Sequence, residues 1–380
     1  MDIVPVPPSS RGDDEGAVRE ALVVETFDSD TLLAERQARA LNVTQHLYLL
    51  LKSQKWSEFC ETLGSYTHLV EGSKDTVILR VPMAVPQGVT ARSVAPSLPL
   101  LEDVPDHPSD EPLESQGVTV AVKLQAVEHS SVTDGELKRE ASFLEKGTVA
   151  VREGVCAHFP LMMAHIVYDT GEAGSVRWHG IVNEWADGDL GDLFGRHRED
   201  TNPHAIHPFH RQATIQAMMG LYVMNLLWSV YHNDLHPKNV LFVYLDTPTT
   251  FVYDLPSLDK TQVYRLTLRD SKLLCLIWDF SKAHKESELG SNDFYEFFSQ
   301  TADYHPVLAS EVRTVTSFNP APRLDVLPWI LSLLRHWADE DPFVTLDTLS
   351  SAEAGALPLP HPCVYSSMEE SWTLPSVSSP

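Results

Sequence analysis

Two short segments carry residue types whose spacing suits one kind of chemistry. In HNDLHPKNVLF, His232, Asp234 and Asn239 follow the pattern H-x-D-x-x-x-x-N. In LIWDF, an apolar run ends in Asp279 and Phe280. Phosphoryl transfer needs a carboxylate to orient the attacking hydroxyl and hard oxygen ligands for magnesium. Asp234 suits the first task, Asn239 and Asp279 the second. Either segment alone also reads as a polar turn; the pair makes the stronger pattern.

A lysine extends the set. In Val120-Ala121-Val122-Lys123 an ammonium group follows an apolar strand, a costly placement unless an anion meets it. The next segment, TDGELKREASFLEKG, offers Glu136 and Glu140. Thr133 and Glu136 have capping-box spacing and start a helix. Glu140 is then the partner, because Phe143 and Leu144 mark the core-facing turn beside it. A lysine snorkelling to the surface is the competing reading of Lys123.

The frame that must position these groups reads as α+β. The β-like runs GSYTHLVEG, DTVILRVPM, VTVAVKLQAV, HFPLMMAHIVYD and VRWHGIVNEWA come first. A helix at 209–231 and the helical segments NDFYEFFSQTAD and DVLPWILSLLRHWADED follow. Strands dominating the first half and helices the second predict a small β-rich unit joined to a larger helical one. The long apolar run at 214–231 contains Gln216 and Asn225, so it reads as a core helix rather than a membrane span. Around this frame we expect a disordered acidic arm at 1–30 and a helical extension at 31–63. A Pro-rich acidic insertion at 84–117 and a flexible Pro/Ser-rich tail at 346–380 complete the organisation.

Composition narrows the function further. The 380 residues carry a net charge of −25, which argues against non-specific gripping of nucleic acid, since that needs a basic face. The same charge favours basic protein substrates over acidic ones. Apolar residues at 43% are enough for a sizeable core. The four cysteines are dispersed, with neither disulfide-framework nor zinc spacing, which predicts a reduced, intracellular setting. The first residues, MDIVPVPPSSRGDDEG, lack the basic and apolar stretches of a signal peptide.

From Leu63 to Phe298 these motifs resemble the protein-kinase-like fold, which implies a bilobal architecture with an N-lobe at 64–184 and a C-lobe at 185–345. VAVK resembles the kinase lysine strand, and Glu140 the helix glutamate that pairs with it. NEWADGDL resembles the hinge, where backbone groups of Glu184 and Ala186 would hold adenine. HNDLHPKN resembles the catalytic loop, and DFS stands where kinases have DFG. HFPLM, HNDLHPKNVL, IWDF and NDFYEFF look most like serine/threonine protein kinases of large DNA viruses, and His236 is shared with haspin.

The resemblance implies ATP- and Mg2+-dependent transfer of the γ-phosphate to Ser or Thr of a protein, in the host cytoplasm or virion. It makes Lys123 the contact to the α- and β-phosphates, Asp234 the catalytic base, Asn239 and Asp279 the magnesium ligands, and Gly64 part of the glycine loop. Lys238 is either a γ-phosphate contact or an exposed lysine.

The sequence also departs from that pattern. GSYTHL keeps Gly64 but has Thr67 where a third glycine belongs, which weakens phosphate cradling. Asn233 replaces the arginine that receives an activation-loop phosphate, so no such switch is expected. The segment from Asp279 to Asp293 is too short for the usual substrate platform. Asp293 is either a buried support for the catalytic loop or a helix N-cap. A small-molecule phosphotransferase of the aminoglycoside or choline type shares HxDLHPxN. A pseudokinase scaffold fits the eroded loop and Ser281. His204, His207 and His210, beside Pro203 and Pro208, form a weak zinc candidate.

Overall fold

Alternating β-branched and aliphatic residues build most of the strands. In the computed structural model they are β1 (Glu25–Phe27), β2 (His68–Ser73), β3 (Thr76–Ala84), β4 (Gly117–Glu128), β5 (Met162–Tyr168) and β6 (Val176–Glu184). Then come β7 (Gly188–Asp189), β8 (Val230–Tyr231), β9 (Val240–Pro256), β10 (Val263–Ile277), β11 (His284–Lys285) and β12 (Val344–Thr348). The helices are α1 (residues 34–40), α2 (Val132–Arg152), α3 (Leu190–Arg196), α4 (Pro208–Trp228), α5 (Asp293–Tyr304), α6 (Pro306–Thr316) and α7 (Leu327–Glu340).

The structure describes residues 25–27, 32, 34–40, 68–73, 76–84, 117–128, 132–168, 176–196, 208–228, 230–256, 262–285, 293–316 and 327–350. Gly64, Thr67, His204, His207, and nearly all of the expected N-terminal arm, helical extension, insertion and tail lie outside the described residues.

The molecule is a mixed α+β structure with antiparallel sheets. One sheet has the order β2-β3-β4-β6-β5. A second runs β1-β9-β10-β12, with β7 also pairing with β9. The short strands β8 and β11 pair with each other. In the first sheet β4 is central: Lys123 lies opposite Ile78 on β3 and Ile181 on β6. Helix α2 packs on this sheet and on a 3-10 turn at Phe280–Lys282.

The helix containing Lys123's expected partner begins at Val132, one residue before Thr133. The helix expected at 209–231 ends at Trp228, and Val230–Tyr231 form a strand instead.

The expected division into a strand-rich first half and a helical second half does not hold. β9 and β10 are 17 and 15 residues long and form the longest hairpin of the molecule's described part. The sequence reads as a loop between YHNDLHPKNVLFVYL and LLCLIWDF, a stretch that includes the turn-forming residues around Pro248. Here they sit in a bulge, where the register jumps from Leu273↔Tyr244 to Ser271↔Thr249. Pro248 is exposed there, and Asp270 opposite adopts a φ of 52°. A bulge tolerates proline because its N–H is not needed for the ladder, so the strand continues beyond it.

Helix α4 seats the hairpin. Its residues from Ala213 to Met224 are almost all buried, and it packs along β10. At Gly220 an added Cβ would stand 2.8 Å from Ile277 Cδ1 and 3.0 Å from His158 Cβ, so a larger residue there would make its neighbours shift. No helix among the described residues is long and apolar enough to cross a membrane. Cys156 and Cys275 are buried.

Candidate functional site

Lys123 is buried in the middle of the first sheet, and its ammonium group meets two carboxylates. Nζ donates to Glu140 Oε1 at 2.7 Å and Oε2 at 2.9 Å, and to Asp279 Oδ1 at 3.4 Å. Glu140 comes from α2 and is 0% exposed. A single turn of offset decides this pairing: Glu136, one turn earlier on the helix, is only half-buried. Burial by itself would lower the pKa of Lys123. Glu140 and Asp279 outweigh that and hold the pKa above its ordinary value. Burial would likewise raise Asp279, but Lys123 beside it keeps that carboxyl below its ordinary value.

Asp279 is held in an unusual backbone conformation. Its φ and ψ are 61° and 67°, in the left-handed region, which costs about 1–3 kcal/mol for a non-glycine residue. Tertiary packing offsets that strain. The next residue, Phe280, is 0% exposed, with its ring 6.3 Å from Phe143, 6.4 Å from Phe159 and 5.4 Å from His232. His232 Nε2 donates to the Trp278 carbonyl at 2.8 Å. Burial pushes the pKa of His232 down, consistent with a neutral ring carrying its proton on Nε2.

The HNDLHPKN segment is braced from both sides. Asp293, at the start of α5, accepts hydrogen bonds from the backbone N–H of His232 at 2.8 Å and of Asn233 at 3.0 Å. Asn225 of α4 donates to the same carboxylate at 3.3 Å. Asp293 is therefore the buried support of this loop. Burial raises its pKa to about 7. Asn233, which has a φ of 59°, donates its side-chain amide to the carbonyls of Tyr231 and Lys282. Where the kinase-like resemblance would place an arginine, the asparagine ties the loop to the turn after Asp279.

Asn239 Nδ2 donates to the Asp234 carbonyl at 2.8 Å and closes the loop on itself. That leaves the amide oxygen of Asn239 and the carboxylate of Asp279 as groups of the hard-oxygen type that magnesium prefers. The backbone connects the two directly, since Trp278 N–H donates to the Asn239 carbonyl at 2.9 Å. The carboxylate of Asp234 is reached by Lys282, whose Nζ lies 2.8 Å from Oδ2. Lys238 is exposed and lies beside Gly191 and Asp189.

At the end of β6, Glu184 uses its side chain structurally. Arg36 of α1 donates to Oε2 at 3.1 Å and Oε1 at 2.6 Å, and to the carbonyls of Ala157 and Phe159 at 3.0 and 2.9 Å. The backbone N–H of Glu184 donates to Leu161. Ala186 follows on the half-exposed connection, which Asp187 anchors by donating its N–H to the Phe242 carbonyl. Asn183 is fully buried, and neither atom of its amide has a hydrogen-bond partner among the described residues.

The structure thus brings together Lys123, Glu140 and Asp279, and joins Asn239 to the backbone of Asp234. Lys238, next to Asn239 in the chain, is exposed. His210, which is buried, contacts the half-buried His305 at 2.8 Å beside Phe194. Sequence reasoning missed Lys282 and Arg36. Arg36 did leave a signal: with Leu32 and Ala40 it falls on one helical face, a charge within an apolar stripe. Lys282 left none beyond closeness to Asp279.

No protein-family model matches the chain, and no curated protein matches it significantly.

Proposed function

We propose that this chain is an ATP- and Mg2+-dependent protein kinase, passing the γ-phosphate to serine or threonine of a protein substrate. One observation carries the reading: a buried lysine held by Glu140 also touches Asp279, beside a braced loop bearing Asp234 and Asn239. In this reading the protein-kinase-like bilobal fold has the β4 sheet and α2 as its smaller lobe. The long hairpin and α3–α7 make the larger one.

Lys123, oriented by Glu140, binds the α- and β-phosphates. Asp234 orients the acceptor hydroxyl and takes its proton. Asn239 and Asp279 would hold magnesium, which when bound neutralises charge on the phosphate oxygens. The end of β6 at Glu184 and Ala186 borders the base. The net charge of −25 favours basic substrates.

The test is an assay of purified protein with labelled ATP and Mg2+, beside Asp234→Asn. Basic proteins, acidic proteins and small amino-alcohols are offered in parallel. Label on protein serine or threonine, lost in the variant, is expected. Label on small molecules alone would replace this reading with a small-molecule phosphotransferase. Nucleotide binding without any transfer would leave a binding scaffold.

A further inference from the structure

Lys282 has no role in the reading above, yet it is the side chain that reaches the carboxylate of Asp234. Its Nζ donates to Oδ2 at 2.8 Å. The lysine foreseen for the phosphate, Lys238, lies beside Gly191 and Asp189 on the surface.

The backbone under Lys282 is firmly set. It closes the 3-10 turn that follows Asp279, with Ala283 N–H donating to the Phe280 carbonyl at 3.0 Å. The ring of Phe280 anchors one side of this turn in the core. On the other side, β11 pairs with β8, placing His284 opposite Tyr231 and Lys285 opposite Val230. Asn233 donates its side-chain amide to the Lys282 carbonyl at 3.3 Å, from the residue preceding Asp234. Backbone elements on both sides of the site therefore determine where this lysine starts. Its side chain remains 60% exposed and open to a ligand.

We infer that Lys282 is a catalytic residue that meets the transferring phosphoryl group, supplying beside Asp234 the positive charge that Lys238 was expected to bring. The inference rests on the phosphotransferase reading of this site. In the transfer, the acceptor oxygen bonds the γ-phosphorus while its proton passes to Asp234. The bond from that phosphorus to the β–γ bridging oxygen breaks, and its electron pair leaves with ADP. The three non-bridging oxygens carry negative charge throughout. An ammonium group has three donors, so Lys282 can keep one on Asp234 and present the others to those oxygens. Bridging base and phosphate in this way holds the acceptor in line and neutralises charge where transfer occurs.

The experiment compares full-length wild type with Lys282→Gln and Lys282→Arg. It measures steady-state transfer, and affinity for Mg·AMP-PNP against Mg·ADP by calorimetry. Lys282→Gln is expected to lower kcat roughly 100–1,000-fold, the scale of losing one well-placed charge-stabilising donor, with KM for ATP little changed. It should also erase any preference for Mg·AMP-PNP over Mg·ADP while leaving Mg·ADP affinity intact. Lys282→Arg should retain most of both, which a purely structural role would not predict. The side chain is exposed, so thermal midpoints should match wild type. A wild-type kcat in Lys282→Gln, or a rise in KM alone, would overturn the assignment while leaving the phosphotransferase reading standing. Absence of transfer by wild type itself would overturn both.

Discussion

Arg36 and Glu184 form a largely buried bidentate ion pair across 148 residues of sequence. The guanidinium fork also satisfies the carbonyls of Ala157 and Phe159, while Glu184 accepts a further bond from Leu161 N–H at 2.8 Å. One charge pair thus fastens α1, the 157–161 turn and the end of β6 together.

Arg36→Ala removes the cation that pairs with Glu184 and the donors that Arg36 brings to two buried carbonyls. It should cost roughly 3–5 kcal/mol in urea unfolding, the scale for breaking a buried pair from one side. Arg36→Lys should recover only part of this, because an ammonium group cannot match the planar fork. A loss below about 1 kcal/mol for the alanine variant would mean that water replaces the pair, as at exposed sites.

The Lys123–Glu140 pair allows stability to be separated from function. Lys123→Ala leaves Glu140 ionisable and sealed from solvent, and should destabilise by about 3–5 kcal/mol. Lys123→Met with Glu140→Leu should recover most of that stability, since well-packed apolar replacements of buried pairs are often neutral. The double variant should nevertheless bind no Mg·ATP by calorimetry. Retained binding would remove Lys123 from the phosphate site.

Asp293 should give the protein a distinctive pH dependence. Its pKa is raised from the ordinary carboxyl value to about 7 by burial, so the folded chain holds a proton there that the unfolded chain has released. The stability it contributes is fully present below about pH 4 and is lost as pH rises through about 7. Denaturant titrations of wild type and Asp293→Asn across this range should therefore differ by a pH-dependent amount, wild type losing ground by a few kcal/mol as pH rises. A constant difference would show an ordinary carboxyl pKa in the folded state.

Asn183 should be a position where polarity costs stability. Its buried amide lacks partners among the described residues, and leaving such a group unsatisfied costs roughly 1–3 kcal/mol. Asn183→Leu, close in size, should raise the thermal midpoint by a few degrees. An unchanged midpoint would point to an ordered water satisfying the amide.

Local pattern was sufficient for much of the site. The alternation of VTVAVKLQAV makes β4 and places Lys123 on it. The five-residue spacing of Asp234 and Asn239 closes one loop, and the apolar run into Asp279 makes the end of β10. These features depend on neighbours along the chain, so they survive being read one segment at a time. The turn residues at Pro248 misled because a bulge and a turn use the same residue types, and only pairing with a partner strand distinguishes them.

What the sequence by itself determined was therefore a set of strands, loops and chemically capable residues. Tertiary structure decided which of them meet. With 53 acidic residues in the chain, composition cannot say which carboxylate answers a given cation. Lys123 to Asp279, Arg36 to Glu184, Asp293 to the loop amides and Lys282 to Asp234 are all contacts between distant segments. The buried pairings among them are selected by where burial removes water: a charge withdrawn from solvent must take the opposite charge or hydrogen-bond donor that the packed core brings within reach.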